Sequence, residues 1–316
     1  MSIKKWVLSL TAVTLLWGGA STIPMTEAAS STKPIEVLLN AKKIQFPDAK
    51  PFQDDNDYVM VPIRFVSEAL GAKVGWEKTG GQLAVSIKND AHAVNMTVGQ
   101  NTATVDGQTK TYETKIILKQ NRTFVPLRLV SEGLGQTVEW DKVSRWVWIG
   151  KKEIAALEDT GHQAVSIEQY KKAIGTIPNL MKNVVNGTKY EKVVIFKQSD
   201  LPTKLLREIY SVESYTTPKG VPYLRMRVKT SSGTAASIFY LTKNKNARLR
   251  PPLDELTQDN GDGTKMIYYP IYSSADELFQ GIKDYKSFKL EDIEYIGFRL
   301  QGDGYIPLMV NPWKGN

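Results

Sequence analysis

Residues 61–76 read VPIRFVSEALGAKVGW, and residues 125–140 read VPLRLVSEGLGQTVEW. The second stretch begins 64 residues after the first, and ten of the sixteen positions are identical. Identity at apolar, turn and charged positions alike indicates two copies of one supersecondary unit. The sequence therefore predicts a tandem repeat, with copies at about 33–90 and 91–152.

Each copy carries the signals of one short helix. Pro62 and Pro126 stand where a helix would begin, because proline lacks an N–H that the first turn leaves unpaired. Gly71 and Gly135 follow as left-handed caps. The apolar residues between these signals are expected on one helix face: Ile63, Val66, Ala69 and Leu70 in the first copy, and Leu127, Val130, Gly133 and Leu134 in the second.

Two charged pairs occupy the other side of the predicted helices. Arg64 precedes Glu68 by four residues, and Arg128 precedes Glu132 by the same spacing. Such a pair can belong to a binding site, but the spacing also produces an ordinary helix ion pair, and we favour that interpretation.

Short strands are predicted on both sides of each helix. A hairpin that contains Trp76 follows the first helix and turns at Gly80-Gly81, and a hairpin that contains Trp140 follows the second. Further short strands are expected before the helices, around Asn40-Ala41 and Asp106-Gly107, and Asp106-Gly107 is a strong two-residue hairpin turn. Because one helix on one small sheet buries little area, the two copies are expected to pack together as a pseudo-symmetric pair.

The motif Val-Pro-Ile/Leu-Arg-Phe/Leu-Val-Ser-Glu-Ala/Gly-Leu-Gly, followed by Val-x-Trp, resembles the copper amine oxidase N-terminal-like domain, or stalk domain, of exported Gram-positive proteins. The resemblance covers roughly residues 35–150 and places the tandem domain at 33–152. It implies a twisted antiparallel sheet wrapped against a helix, and a non-catalytic stalk module through which the chain can self-associate. It also implies a structural role for the residues of the repeat motif: Pro62, Arg64, Glu68, Gly71, Trp76, Pro126, Arg128, Glu132, Gly135 and Trp140.

Copper chemistry is not expected from this resemblance. The oxidase reaction of that family belongs to a separate domain with three histidine ligands and a tyrosine-derived quinone. This chain has two histidines, His92 and His162, and no cysteine. We therefore expect no copper, no other metal and no cofactor, and interpret both histidines as surface residues.

Residues 1–28 are predicted to be a secretory signal peptide. Lys4 and Lys5 precede an uncharged run from Trp6 to Trp17, and small residues follow up to Ala28. The run is shorter than the roughly 20 apolar residues that span a bilayer, so a cleaved signal is favoured over a membrane anchor. Cleavage after Ala28 fits best, with Ala29 as the neighbouring option. The protein is accordingly expected to be secreted and associated with the cell wall.

The charge of the chain points to an anionic partner. Removing Lys4, Lys5 and Glu27 with the leader lowers the formal net charge from +8 to +7. This excess favours a cell-wall polymer, with another envelope protein as the alternative partner, while export argues against nucleic acid. The basic run at 243–250 is interpreted as a solvated turn.

A linker is expected at 153–165, before a separate α+β domain at 166–316 in which we find no family resemblance. The patterns predict helices from Ser166 towards Met181, from Pro202 to Tyr210 and from Ser274. They also predict a hairpin of strands 223–229 and 237–241, and further strands at 190–196, 265–272, 294–300 and 305–310. The loop 258–263 is interpreted as a hairpin turn, because it lacks the carboxylates of a calcium loop.

Two groups of side chains in this second domain suggest function. Aromatic residues that could stack on sugar rings, although core residues look the same, are Tyr268, Tyr272, Tyr295, Tyr305 and Trp313. Carboxylates that could supply a glycosidase acid and base, although helix and turn positions also explain them, are Asp276, Glu277, Glu291, Asp292 and Glu294. The sequence favours a non-catalytic binding or scaffolding protein. The alternatives are an exported enzyme that acts on wall glycan and an extracellular sensor or inhibitor that binds a protein.

Overall fold

The computed structural model describes residues 33–183, 186–229, 236–244, 246–299 and 304–315. The predicted signal peptide at 1–28 lies outside these residues. Lys33–Asn316 form one compact unit. None of the helices in the described ranges is long and apolar enough to cross a membrane.

The two repeat helices form where the motif predicts them. Helix α1 spans Ile63–Ala69 and helix α2 spans Leu127–Gly133, with the two prolines as N-caps. Gly71 and Gly135 have φ angles of 72° and 75°, in the left-handed region that glycine adopts without a steric penalty. The apolar face is wrong at one position, because Ala69 is exposed to solvent.

Three small sheets surround these helices in the N-terminal module, residues 33–152. Their strands, in chain order, are β1 Glu36–Leu39, β2 Lys42–Lys43, β3 Phe52–Gln53, β4 Val59–Pro62, β5 Lys73–Thr79, β6 Gln82–Lys88, β7 Ala93–Thr97, β8 Thr102–Val105, β9 Gln108–Thr111, β10 Ile117–Lys119, β11 Arg122–Pro126, β12 Val138–Asp141 and β13 Trp146–Ile149. The predicted turns at Gly80-Gly81 and Asp106-Gly107 are confirmed, since each of the four residues has a positive φ. Asn40 and Ala41 also have a positive φ, at the turn between β1 and β2.

The central sheet has the order β10-β11-β4-β3 and contains the pseudo-two-fold axis. Strands β4 and β11 pair antiparallel with Val61 opposite Val125, which occupy the same position in the two copies. Pro62 lies opposite Phe124, and Met60 lies opposite Pro126. Met60 and Phe124 occupy the same position in the two copies, as do Pro62 and Pro126, so the two residue pairs are symmetry equivalents of each other. The copies therefore contact each other through the same surface, as the subunits of a two-fold symmetric dimer do. The predicted pseudo-symmetric pair is confirmed.

The two outer sheets each contain strands from both copies. One sheet, β12-β13-β1-β2, joins the first hairpin of the first copy to the last hairpin of the second, with β1 parallel to β13. The other sheet, β5-β6-β7-β8-β9, contains the strand β7 that connects the copies and has no counterpart in the first sheet. A single core with residues from Ile35 to Ile149 therefore serves both copies.

The C-terminal region adds two further sheets and, within its described residues, the α-helices α3 Glu168–Ile174 and α4 Ala275–Gln280. Its strands are β14 Ala164–Ser166, β15 Lys192–Phe196, β16 Thr203–Lys204, β17 Glu208–Thr216, β18 Pro222–Lys229, β19 Ile238–Thr242, β20 Ala247–Arg250, β21 Gln258–Asp259, β22 Thr264–Pro270, β23 Ile293–Phe298 and β24 Tyr305–Val310. They form a six-stranded sheet, β14-β15-β24-β23-β19-β20, and a five-stranded sheet, β16-β17-β18-β22-β21. The predicted α+β class is confirmed.

The inner strands of the six-stranded sheet are buried on both faces. In β19, Ile238 and Tyr240 belong to the core between the two sheets, whereas Phe239 and Leu241 belong to a second core against α3. A strand between two cores is apolar at consecutive positions, which explains the uninterrupted run in β19.

Two secondary-structure predictions in this region are wrong. The helix predicted at 202–210 is replaced by β16 and the start of β17, which pairs with β18. The predicted hairpin of 223–229 and 237–241 does not form, because β18 lies in the five-stranded sheet and β19 lies in the six-stranded sheet.

The basic run at 243–250 is not solvated throughout, because Arg248 and Arg250 are buried in β20. Both arginines donate hydrogen bonds to Asp276 at the start of α4, at 2.7 to 2.8 Å. Asp276 lies in the first turn of α4, where an acidic residue opposes the helix dipole, as the sequence predicts. It also stabilises two buried cations that would otherwise have no anionic partner.

The module packs against the five-stranded sheet. The rings of Trp146 and Trp148 each lie 6.3 Å from the ring of Tyr210. Buried Arg227 donates hydrogen bonds to Asp141 in the module and to Asp262 in the β21–β22 turn. The segment predicted as a linker, 153–165, packs into this arrangement and buries Leu157 in the core between the sheets. The domain boundary itself stays a prediction.

Candidate functional site

Two surface clefts in the module are related by the pseudo-two-fold axis. The first cleft, about 270 Å³, is lined by the start of α1, by Trp76 on β5 and by the β10–β11 hairpin of the second copy. The second cleft, about 260 Å³, is lined by the start of α2, by Trp140 on β12 and by the β3–β4 hairpin of the first copy. Each cleft therefore requires both copies.

The repeat motif supplies the equivalent walls of the clefts. Pro62, Ile63 and Arg64 line the first cleft, and Pro126, Leu127 and Arg128 line the second. Each proline ends a strand in an extended conformation and begins a helix at the next residue. The arginine therefore always occupies the second helical position, beside the hairpin that carries the tryptophan.

Large apolar side chains are exposed in both clefts. Trp76 is 42% exposed, Trp140 is 38% exposed, and Leu118 at the first cleft is 54% exposed. Isolated exposed apolar residues are ordinary on a protein surface. An exposed tryptophan that recurs in a concave site at the same repeat position is instead typical of a binding surface.

The arginines of the two clefts have different partners. The guanidinium carbon of Arg64 lies 4.9 Å from the centre of the Trp76 ring, in a cation–π contact. Arg128 Nε lies 3.3 Å from Glu132 Oε1, so the predicted helix ion pair is confirmed in the second copy. Arg64 retains its positive charge for a ligand, whereas the charge of Arg128 is matched within its own helix.

A further ion pair sharpens this difference in charge. Arg122 Nε donates a hydrogen bond to Asp48 Oδ2 at 3.1 Å, and this bond lowers the pKa of the Asp48 carboxyl. Asp48 and Arg122 therefore neutralise each other, and Arg64 leaves the first cleft with a net positive charge. The second cleft is lined by both Asp57 and Arg128 and has no such excess.

A family model described as the copper amine oxidase N-terminal domain matches residues 38–149. Residues 38–149 form a copper amine oxidase N-terminal-like domain. This span contains both repeat helices and every lining residue of both clefts. A search of the curated proteins found no match to the chain.

The residues present do not fit a three-histidine copper site. Within the described residues, no three His, Cys, Asp or Glu side chains come together to hold a metal. In the copper amine oxidase N-terminal-like domain, His92 Nδ1 lies 2.8 Å from Asp106 Oδ2. His162 is outside that domain, where Nε2 lies 3.1 Å from Asp200 Oδ2. Each histidine is half-buried and paired with one carboxylate. The sequence indicated surface positions for both and did not reveal these pairs.

The five aromatic residues predicted as sugar contacts lie in different strands and segments of the C-terminal region. Tyr268 is buried in the five-stranded sheet, and Tyr305 is buried in the six-stranded sheet. Tyr295 packs against the core beside α3, whereas Tyr272 and Trp313 pack against the core between the sheets. These contacts are packing contacts, and a role in carbohydrate binding stays a prediction.

The candidate catalytic carboxylates are also separated by their surroundings. Asp276 is 2% exposed and is engaged by two arginines, whereas the neighbouring Glu277 is exposed. Asp292 Oδ2 accepts the backbone N–H of Lys289 at 2.8 Å. Asp276 therefore has a structural role that the sequence pattern did not reveal.

The clefts were missed in the sequence although their residues were singled out. The signal was present, because a tryptophan and an arginine recur at the same positions of both copies. What the sequence did not reveal is that each copy contributes one wall to the cleft of the other copy. This arrangement depends on the pairing of β4 with β11.

Proposed function

We propose that this chain is an exported, non-catalytic protein that binds an anionic polymer of the cell envelope through the two clefts. The observation that carries the proposal is the exposed tryptophan and adjacent arginine, repeated at two pseudo-equivalent sites. Two related sites on one module suit a ligand that is itself repetitive, as a wall polymer is.

The side chains of the first cleft suit a glycan that carries a charged substituent. An indole ring offers a flat apolar face for a sugar ring, and a guanidinium group pairs with carboxylate or phosphate oxygens. Trp76 and Arg64 lie close enough for both to contact one unit of such a polymer. Leu118 extends the apolar rim of the same cleft.

Two clefts on one module favour avidity for a long ligand. After one cleft has bound, the second binding event becomes intramolecular, and weak individual contacts combine into a stronger one. The second cleft contributes less, because its arginine is paired with Glu132. We therefore expect a dominant first cleft and an auxiliary second cleft.

The leader sequence and the charge support the envelope as the location. An exported chain with a net charge of +7 is attracted to anionic polymers over distances longer than a hydrogen bond. The C-terminal region is held to the module through Trp146, Trp148 and Arg227. The module would thus position this region at the wall, which is a scaffolding role.

Co-sedimentation of residues 29–316 with purified Gram-positive wall sacculi, at low and high salt, tests the proposal. Trp76→Ala is expected to weaken salt-resistant binding by roughly two- to tenfold, which corresponds to the loss of one aromatic contact. Trp140→Ala is expected to have a smaller effect, and the double variant should lose the salt-resistant fraction.

Phe279→Ala is the matched control, because Phe279 is 79% exposed on α4 and lies outside both clefts. Its binding should equal that of the unmodified chain. If high salt abolishes binding, or if neither tryptophan substitution weakens it, the cleft proposal is refuted. The interaction would then be explained by diffuse electrostatic attraction alone.

A further inference from the structure

A narrow apolar slot lies between the two sheets of the C-terminal region. Its walls include Ile209, Met226, Val228, Ile238 and Phe298. All five are buried residues of the core between the sheets. The slot has a volume of about 40 Å³. A site for a single water needs roughly 10–15 Å³, so the slot accepts a thin group of a few heavy atoms.

Two arginines, Arg207 and Arg299, line the same slot. Arg207 Nη1 and Arg299 Nε are buried, and neither atom has a hydrogen-bond partner. Within the described part of the chain, neither arginine takes part in an ion pair. Both cations therefore keep hydrogen-bonding capacity at the edge of an apolar cavity.

The fully buried arginines of this region, unlike the half-buried Arg207 and Arg299, have carboxylate partners. Arg250 is paired with Asp276, and Arg227 is paired with Asp141 and Asp262. A buried N–H without an acceptor is costly, and native proteins rarely retain one. Arg248 Nε also lacks a hydrogen-bond partner, but Arg248 has Asp276 as its anionic partner. Arg207 and Arg299 have no anionic partner among the described residues, and an acceptor from outside the chain would supply one.

We propose that this slot binds an amphipathic anion, namely an unbranched acyl chain that carries a carboxylate. The end of the chain enters between the sheets, where the walls are apolar and the space is narrow. The carboxylate oxygens accept hydrogen bonds from Arg207 Nη1 and Arg299 Nε, in the charge-assisted geometry that guanidinium groups favour. The site is independent of the two tryptophan clefts.

Calorimetric titration of residues 29–316 with n-octanoate tests the proposal, with acetate and octyltrimethylammonium as comparison ligands. Octanoate is expected to bind, acetate is too short to use the slot, and the ammonium ion has the wrong charge. Arg207→Met and Arg299→Met should each weaken octanoate binding about tenfold or more. Trp76→Ala/Trp140→Ala is the matched control and should leave the affinity unchanged.

The methionine variants should fold normally, because each removes a buried donor that has no partner; thermal unfolding checks this. Should either variant unfold, the unmodified chain decides the question with propanoate, pentanoate and octanoate, whose affinity must rise severalfold per methylene until the slot is full. Absence of octanoate binding, equal binding of the ammonium ion, or unchanged affinity in folded methionine variants would overturn the proposal. Preferential binding of the peptide acetyl-Gly-Leu would replace the acyl ligand by a peptide C-terminus.

Discussion

The two copies of the repeat have matching inner faces and different outer faces. Trp76 pairs with Val85 in the first copy, and Trp140 pairs with Val147 in the second, so both valines are equivalent and buried. The neighbours of Val85, Ala84 and Ser86, are exposed. Their counterparts Trp146 and Trp148 are each 3% exposed and pack against Tyr210. The shared core explains what the copies have in common, and the C-terminal region explains where they differ.

The helices of the two copies differ for a similar reason. A Cβ atom at Gly133 would lie 2.8 Å from Val94 Cγ2 on β7, so this position has no room for alanine. The equivalent Ala69 on α1 is exposed. Because β7 connects the copies and has no counterpart in the other outer sheet, only the second helix packs against such a strand.

The largest effect is expected where the outer faces differ most. Trp148→Ala should lower the free energy of unfolding by about 3–5 kcal/mol, because it opens a cavity against Tyr210. The matched change Ser86→Ala should alter it by no more than about 0.5 kcal/mol, because Ser86 is exposed. Urea denaturation followed by circular dichroism measures both values. Similar losses in the two variants would mean that the C-terminal region does not cover the second copy.

A smaller effect is expected at the helix ends. Gly71→Ala and Gly135→Ala both place alanine at a positive φ, which costs about 1–2 kcal/mol. Gly135→Ala should cost about 1 kcal/mol more, because its Cβ would lie 2.7 Å from His92 Nε2, whereas nothing lies within 4 Å at Gly71.

A double variant isolates the histidine contribution. Adding His92→Ala to Gly135→Ala should remove the excess cost, and adding it to Gly71→Ala should not. The urea midpoints of the four variants measure this coupling. Equal costs at the two glycines would show that the His92 ring moves aside freely, despite its contact with Asp106.

The sequence predicts the local parts of the module well, for physical reasons. Pro62 marks the start of α1 because its ring restricts φ to a helical value, and Gly71 marks the end because glycine adopts a positive φ without a steric penalty. Asp106-Gly107 forms a hairpin turn because such turns require positive φ angles. Such signals act over a few residues and need no tertiary partner. The exchange of hairpins between copies was not predicted, because the pairing of β1 with β13 joins segments that are remote in sequence.

Tertiary partners also explain the errors in the C-terminal region. The segment 202–210 has a helical pattern of apolar residues, but β17 gains its partner from β18 and the core between the sheets. Arg248 and Arg250 resemble solvated residues until Asp276 is placed beside them. The clefts were missed for the same reason, since each one is lined by residues from both copies.

The smallest expected difference concerns the equivalent turns at Asn40 and Asp106. The pKa of the Asp106 carboxyl is lowered by hydrogen bonds from the Ala93 backbone N–H and the His92 ring. Its stabilising contribution is therefore present above the ordinary pKa of 3.8 and is lost as the pH falls through the lower value of the folded state. Asp106→Asn cannot titrate, so the variant should lose less stability than the unmodified chain between about pH 5 and pH 2.

The reverse change tests the same contact in the first copy. Asn40 Oδ1 accepts the Lys151 backbone N–H at 2.9 Å, so Asn40→Asp would place a carboxylate at an existing donor. This variant should become more sensitive to acid than the unmodified chain, because the new carboxylate gains a partner on folding. Urea midpoints at several pH values compare both variants. If Asp106→Asn and the unmodified chain have the same pH dependence, the His92–Asp106 contact does not distinguish the second copy energetically.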